Sequence, residues 1–331
     1  RGDVLTIGSD FMHDYLYNTN LENETRNQNT WDLFGQYDWR ISDQWEAVGA
    51  VRYDYFSDGK ESHVTPKLNV CYKPIYNLSI RAGYGMGFRA PTLKEKYYNF
   101  DMAGIWIVEG NANLKSEVSH NFNLSAEYTK GHYNLTGSVY YNKVKNKLAT
   151  SVPYFKTPND KLPYLPYANL DDYSVCGGEI GAQAKWNNGL GARLTYAYTK
   201  EQLAKDKDGH TINNQYIPAR EHALNARVDF DKQLSKKYGL NIALQGRVLS
   251  GVENVEYKDY YDVSKGTITV EYPAYTIWKL SVVQRVGNAV KVTAALDNVF
   301  GYKPKYYYLN SPITDGVNFQ IGMSIDIDKL F

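Results

Sequence analysis

The segment HYNLTGSVYYNKV, residues 132–144, decides the fold because it repeats in twos. Tyr133, Leu135, Gly137, Val139 and Tyr141 share one face of an extended chain, and Asn134, Thr136, Ser138 and Tyr140 share the other. A helix would instead repeat its apolar positions three and four residues apart. The same alternation sets Trp45, Ala47, Gly49, Val51, Tyr53 and Tyr55 against Glu46, Arg52 and Asp54. It also sets Val290, Val292, Ala294 and Leu296 against Lys291 and Thr293. These runs persist for about ten to fifteen residues, whereas strands of soluble sheets average about five or six.

Tilted strands of about ten residues span a bilayer, and closing the sheet removes edges that lipid would leave unpaired. The apolar row then faces hydrocarbon and the polar row faces a lumen. Trp31, Trp39, Trp45, Trp186 and Trp278, near strand ends, suit the headgroup level as interfacial girdles.

Composition agrees with this reading. The chain has 331 residues, 31 of them tyrosine, with aromatics at 15% and charges at 22% in near balance for a net charge of +1. No window approaches the roughly 18 apolar residues of a spanning helix, and the charge balance argues against a nucleic-acid surface. Cys71 and Cys176 are too few for a disulfide framework and lack metal-ligand spacing. The opening RGDVLTIGSD already reads as mid-strand, with no signal sequence, so a fragment is expected.

Connections add independent support, because outer-membrane barrels alternate tight periplasmic turns with longer external loops. Short links fall at 41–44, 73–77, 129–132, 186–190, 234–239 and 285–289, and longer ones at 92–115, 155–167, 204–219, 252–273 and 301–316. About fourteen antiparallel strands follow, an all-β transmembrane barrel architecture. The last strand ends at Phe331, with Val317, Phe319, Ile321, Met323, Ile325 and Ile327 on the lipid face.

GFRAPTLKEKYY (87–98) followed by EGNANLKSEVSHNFNLSAEY (109–128) resembles the region of TonB-dependent outer-membrane receptors in which a FRAP-type strand end precedes an N-x-N-L element. The matching residues are Phe88, Arg89, Ala90 and Pro91, then Asn111, Asn113 and Leu114. LDNVFGYKP (296–304) and the closing NSPITDGVNFQIGMSIDIDKLF (310–331) extend the resemblance over essentially the whole chain, with a Bacteroides-type look. The resemblance implies a Gram-negative outer-membrane barrel of about 22 strands with an N-terminal plug. Residues 1–331 would be its C-terminal part, with the plug and first strands absent. It further implies a terminal Phe331 read by the barrel assembly machinery, energy from a TonB complex through the missing part, and in many receptors a surface lipoprotein partner.

The expected function is energised import of a scarce iron-bearing ligand, haem slightly ahead of a ferric siderophore, with cobalamin as the alternative. Haem receptors of this family carry FRAP and N-P-[DN]-L boxes around a loop histidine; here Ala112 replaces the Pro and the intervening loop has no histidine. Axial coordination would then fall to His120, His210, a tyrosine such as Tyr97 or Tyr98, or a plug residue. A siderophore site would use loop aromatics and cations, Trp106, Tyr154, Tyr164, Tyr167, Tyr257, Tyr260, Tyr261, Lys303, Lys305, Tyr306, Tyr307 and Tyr308, with Tyr97 and Tyr98 in the same cover. Calcium, which a cobalamin receptor would use, has only weak carboxylate pairs available, Asp171 with Asp172 and Asp206 with Asp208.

No resident cofactor is expected, and Arg89 is read chiefly as a fastener that pairs with a plug acid. The non-transport alternatives are a passive porin-like channel and a rim hydrolase built on His120 or His222 with a nearby Ser. The chain carries no G-x-S-x-G, H-E-x-x-H or phosphate-binding loop, which weighs against an enzyme.

Overall fold

The computed structural model describes residues 2–19, 21, 25–170, 172–202, 219–259, 265–304 and 314–329. From the N-terminus run β1 (Val4–Tyr17), β2 (Thr25–Arg40), β3 (Trp45–Phe56), β4 (Glu61–Ile75), β5 (Leu78–Arg89), a short helix α1 (Leu93–Tyr97), β6 (Phe100–Met102) and β7 (Trp106–Glu109). There follow β8 (Glu117–Lys130), β9 (Tyr133–Lys145), β10 (Lys147–Thr150), β11 (Tyr164–Leu170), β12 (Tyr173–Lys185), β13 (Leu190–Gln202) and β14 (His222–Ser235). The last are β15 (Tyr238–Leu249), β16 (Val252–Tyr257), β17 (Thr267–Tyr272), β18 (Tyr275–Val286), β19 (Val290–Asp297) and β20 (Asn318–Ile325).

Fourteen of these form one sheet, ordered β1-β2-β3-β4-β5-β8-β9-β12-β13-β14-β15-β18-β19-β20. Every neighbouring pair is antiparallel, so the sheet is a meander in chain order. The expected strand number and alternation both hold. Because cross-strand partners share a face, rows can be followed around the wall. Leu244, Leu280, Leu296 and Phe319 align in register across β15, β18, β19 and β20. Leu68, Tyr84, Phe122 and Tyr141 do so across β4, β5, β8 and β9.

These rows are the exposed apolar ones, whereas the opposite face carries hydrogen-bonded polar groups. Tyr140 bonds the Thr199 hydroxyl at 3.0 Å, and Arg52 bridges Asp32 and Asp54 at 3.0 and 2.9 Å. At the short-link end Trp45 stacks on Tyr72 at 4.2 Å and Trp186 meets Tyr133 edge-on at 6.3 Å, whereas of the other girdle candidates Trp31 lies inside β2 and Trp278 near the long-loop end of β18.

Short links between β2 and β3, β4 and β5, β8 and β9, β12 and β13, β14 and β15, and β18 and β19 fall within the expected ranges. On the opposite rim one connection departs from the long-loop pattern. Residues 57–60 join β3 to β4 in a tight turn, with Gly59 and Lys60 in the left-handed region at φ 78° and 52°.

The longer loops hold structure that alternation does not announce. Strands β10-β11-β7-β6 form a separate four-stranded sheet, in which β11 and β7 pair in parallel. Neither loop could build this sheet alone, since β6 and β7 come from the β5–β8 connection and β10 and β11 from the β9–β12 connection. Trp106, Val108 and Leu165 form its small core, with Phe100, Ile105 and Tyr167 packed against them. A second cluster of Val144, Leu170 and Tyr173 joins it to the tops of β9 and β12. Strands β16 and β17 form a further hairpin on the same rim.

Candidate functional site

The long-loop rim is the candidate site, and the two sequence motifs build its cover. Strand β5 ends at Arg89, and Pro91, buried and without an N–H, prevents the ladder from continuing. Thr92 then caps α1: its hydroxyl accepts from the Glu95 N–H at 3.2 Å, and the Glu95 carboxylate accepts from the Thr92 N–H at 2.8 Å. Arg89 donates to both Glu95 oxygens at 2.9 and 3.1 Å and to the Leu148 carbonyl at 3.2 Å. It therefore fastens the strand end to α1 and β10. The expected partner was an acid of the plug; within these residues the partner is Glu95.

Burial alone would push the Glu95 carboxyl up. The Thr92 N–H, Arg89 and the Thr92 hydroxyl together outweigh it and hold the group below its ordinary value. A lowered folded-state value means the carboxylate stabilises the cover above the usual Glu range near pH ~4.3. That contribution is lost as the pH falls below this range through the lowered value. Hydrogen exchange of residues 92–98 is expected to accelerate in this acid window in the wild type. Glu95→Gln should abolish the step, and an unchanged pH profile in that variant would contradict the assignment.

The second motif closes the other end of the cover. The Asn111 N–H donates to the Glu95 carbonyl at 2.9 Å, its side-chain amide donates to the Tyr167 carbonyl at 3.0 Å, and its side-chain oxygen accepts from the Asn113 N–H at 2.9 Å. Leu114 is buried beneath. Ser116 donates to Glu61 at 2.5 Å and meets His63 Nε2 at 3.0 Å, while His63 stacks on Phe88 at 4.3 Å.

Sequence reasoning missed the partner of this segment, Asn169. Its side chain accepts from the Lys115 N–H and donates to the carbonyls of Lys115 and Asn146, all within 2.9 Å. No local signal marks it, because its partners lie 54 and 23 residues away.

Among the aromatic candidates, Trp106 is buried in the core of the loop sheet, so its ring packs the cover instead of presenting a face to a ligand. Tyr97 donates to Asp58 at 2.9 Å beneath the Arg26 guanidinium. Burial and then the Asp58 bond push its phenol up, which disfavours the phenolate an iron ligand requires. Tyr167 is half-buried, and burial likewise pushes its phenol up.

Two groups do offer open aromatic and charged faces. Tyr98 stacks on Phe100 at 5.3 Å with Lys94 Nζ 4.6 Å from the Phe100 ring centre. Tyr154 and Tyr164 lie 6.2 Å apart, with Lys156 Nζ 4.0 Å over Tyr164 and donating to Glu109 at 2.6 Å, while the Tyr154 hydroxyl donates to the same carboxylate at 3.1 Å. Tyr257 closes β16. His210, Tyr260, Tyr261, Lys305, Tyr306, Tyr307, Tyr308 and Phe331 lie outside the described residues.

The histidines weighed for a hydrolase do not assemble one. His120 continues the outward row of Phe122 and Leu124 and meets the Tyr84 hydroxyl at 3.0 Å. His222 continues the row of Leu224 and Ala226 and meets the Tyr196 hydroxyl at 2.7 Å. Of the carboxylate pairs, Asp172 pairs with Lys143 at 2.8 Å, and Asp171, Asp206 and Asp208 lie outside the described residues. Among the described residues no cluster of three or more acidic, His or Cys side chains could hold a metal ion.

Residues 4–299 match a family model described as TonB dependent receptor-like, beta-barrel. The iron-regulated outer membrane virulence protein of Vibrio cholerae is 22% identical over 334 residues, covering 97% of this chain and 49% of that protein. The vitamin B12 transporter BtuB of Photobacterium profundum is 22% identical over 293 residues, covering 88% and 43%. The FrpB iron transporter from Neisseria meningitidis superposes with a TM-score of 0.74 at 18% identity, covering 98% of this chain and 52% of that one. The chain thus spans about half the length of the curated relatives it matches.

Proposed function

The chain belongs to the TonB-dependent receptor β-barrel family, and from that premise we propose that it is the C-terminal part of an outer-membrane receptor that imports a ferric chelate. The observation that carries the reading is the joined cover: two loops share one sheet over the rim and present aromatic rings beside lysines. Such faces hold a bulky anionic chelate by stacking and cation-π contact, with no chemistry on the cargo. The iron-regulated relative in Vibrio cholerae supports iron as the cargo element.

A ferric siderophore is read ahead of haem. The motif loop lacks a histidine, His120 sits on the outward row, and the Tyr97 hydroxyl is committed to Asp58. Cobalamin is the second reading, favoured by the vitamin B12 transporter among the relatives. Energy coupling through TonB, insertion by the barrel assembly machinery and work with a surface lipoprotein belong to the same proposal. So does a plug with further strands outside these 331 residues. An import role also leaves no place for an enzyme.

Titration of the intact receptor with ferric catechol and hydroxamate chelates, haem and cobalamin, followed by visible absorbance and aromatic quenching, tests this. One ferric chelate is expected to bind, and Tyr154→Ala combined with Lys156→Ala should weaken it about ten-fold, about 1.4 kcal/mol. Binding of cobalamin alone would move the second reading to first place. Large steady conductance with no ligand binding would establish a passive channel instead.

A further inference from the structure

Beneath the start of the cover lies a recess of about 560 Å3 that the chelate reading does not use. Its roof is Ala90, Pro91, Thr92, Leu93 and Lys94, and its wall is the polar face of β1, β2 and β3. Asp14, Gln28, Thr30, Arg52 and Asp54 supply the polar lining, and Met12, Leu16, Phe56 and Phe88 the apolar flank.

The wall is built around carboxylates. Asp10, Asp32 and Asp54 stand directly opposite one another on three adjacent strands, an arrangement that like-charge repulsion disfavours without a cation. Arg52 answers part of it by bridging Asp32 and Asp54. Asp14 has no hydrogen-bond or ion-pair partner among the described residues, and Lys94 spends its ammonium over the Phe100 ring.

Two buried atoms remain unanswered. Thr30, 7% exposed and lining the recess, has no partner for Oγ1, and Asp32, 8% exposed, has none for Oδ1. Burying such acceptors without a donor is unfavourable, and more so for a carboxylate oxygen.

We propose that this recess is a binding site for an organic cation, a guanidinium or alkylammonium group with an apolar flank, held by Asp14 and Thr30. A single metal ion does not fit, since among the described residues no acidic cluster converges closely enough to hold one. A cation with several N–H donors can reach oxygens on two adjacent strands, and the volume lies within the range of small-molecule sites. The same chemistry has two sources: a solute entering from the rim, or a basic side chain from a part of the receptor outside these residues.

The test uses the full receptor in detergent, with arginine amide as the probe, N-acetylglutamate as the anionic control, and the variants Thr30→Val and Asp14→Asn. For a solute cation, arginine amide binds, the control does not, and each variant weakens binding about five-fold or more, the loss of one charge-assisted hydrogen bond. For a side chain already in place, arginine amide does not bind and both variants lower the unfolding temperature.

The proposal is overturned if arginine amide binds all forms equally. It is also overturned if the probe fails to bind and both variants leave the unfolding temperature unchanged or raise it, as removing an unpaired carboxylate and an orphan hydroxyl from an empty recess would do. Chelate titration of the same variants keeps this outcome separate from the fate of the import reading.

Discussion

Ile180→Arg is expected to destabilise the membrane-inserted chain by about 2–4 kcal/mol, the cost of an arginine on the lipid face near the bilayer midplane. Ile180 sits in the middle of β12, is 64% exposed, and has Gly137 and Tyr196 as its register partners on the outward face. Ser138→Arg places the same side chain about one residue away but on the polar face. There it stands directly opposite Glu179, so a cross-strand ion pair worth about 0.2–1 kcal/mol offsets the loss of side-chain freedom. Urea unfolding from lipid vesicles should therefore separate the two variants by at least about 2 kcal/mol. Equal costs would mean that the two faces do not see different solvents.

Leu165→Ala has the second large effect, and it tests whether two loops act as one unit. Leu165 is 1% exposed, and its register partner across the parallel pair is Val108 in the other loop. Truncating it leaves a cavity in a core with few members, at a cost of about 2–5 kcal/mol. Because the loop sheet takes strands from both connections, segments 92–116 and 146–172 should become protease-sensitive together while the fourteen-stranded sheet stays intact. Cleavage confined to 146–172 would show that the loops fold separately.

Alternation was legible because one face of each strand is exposed apolar surface, so every second residue from Tyr133 to Tyr141 carries the signal without knowledge of its neighbours. Link lengths followed for the same reason, while the tight turn at 57–60, a two-residue left-handed pair on the long-loop rim, was among neither the short nor the long links read from the sequence. The α1 cap was also present in the letters, as Thr92 followed three residues later by Glu95, but the helix has only five residues and no periodicity.

His120 could have been placed on the outward face by counting back two residues from Phe122. The joined loop sheet could not have been found this way. Pairing of Tyr164 with Ile107 crosses 57 residues, and neither partner carries a local mark of the other. That pairing is why Trp106, which reads as an open aromatic, is packed away.

A nitroxide scan tests the two-solvent wall most directly. Single cysteines would be placed from Tyr133 to Tyr141 in lipid vesicles, after replacement of Cys71 and Cys176. Collision with oxygen, which concentrates in hydrocarbon, should peak at 133, 135, 137, 139 and 141, and collision with an aqueous nickel chelate at the positions between them. A flat profile, or one repeating every three to four residues, would contradict the account.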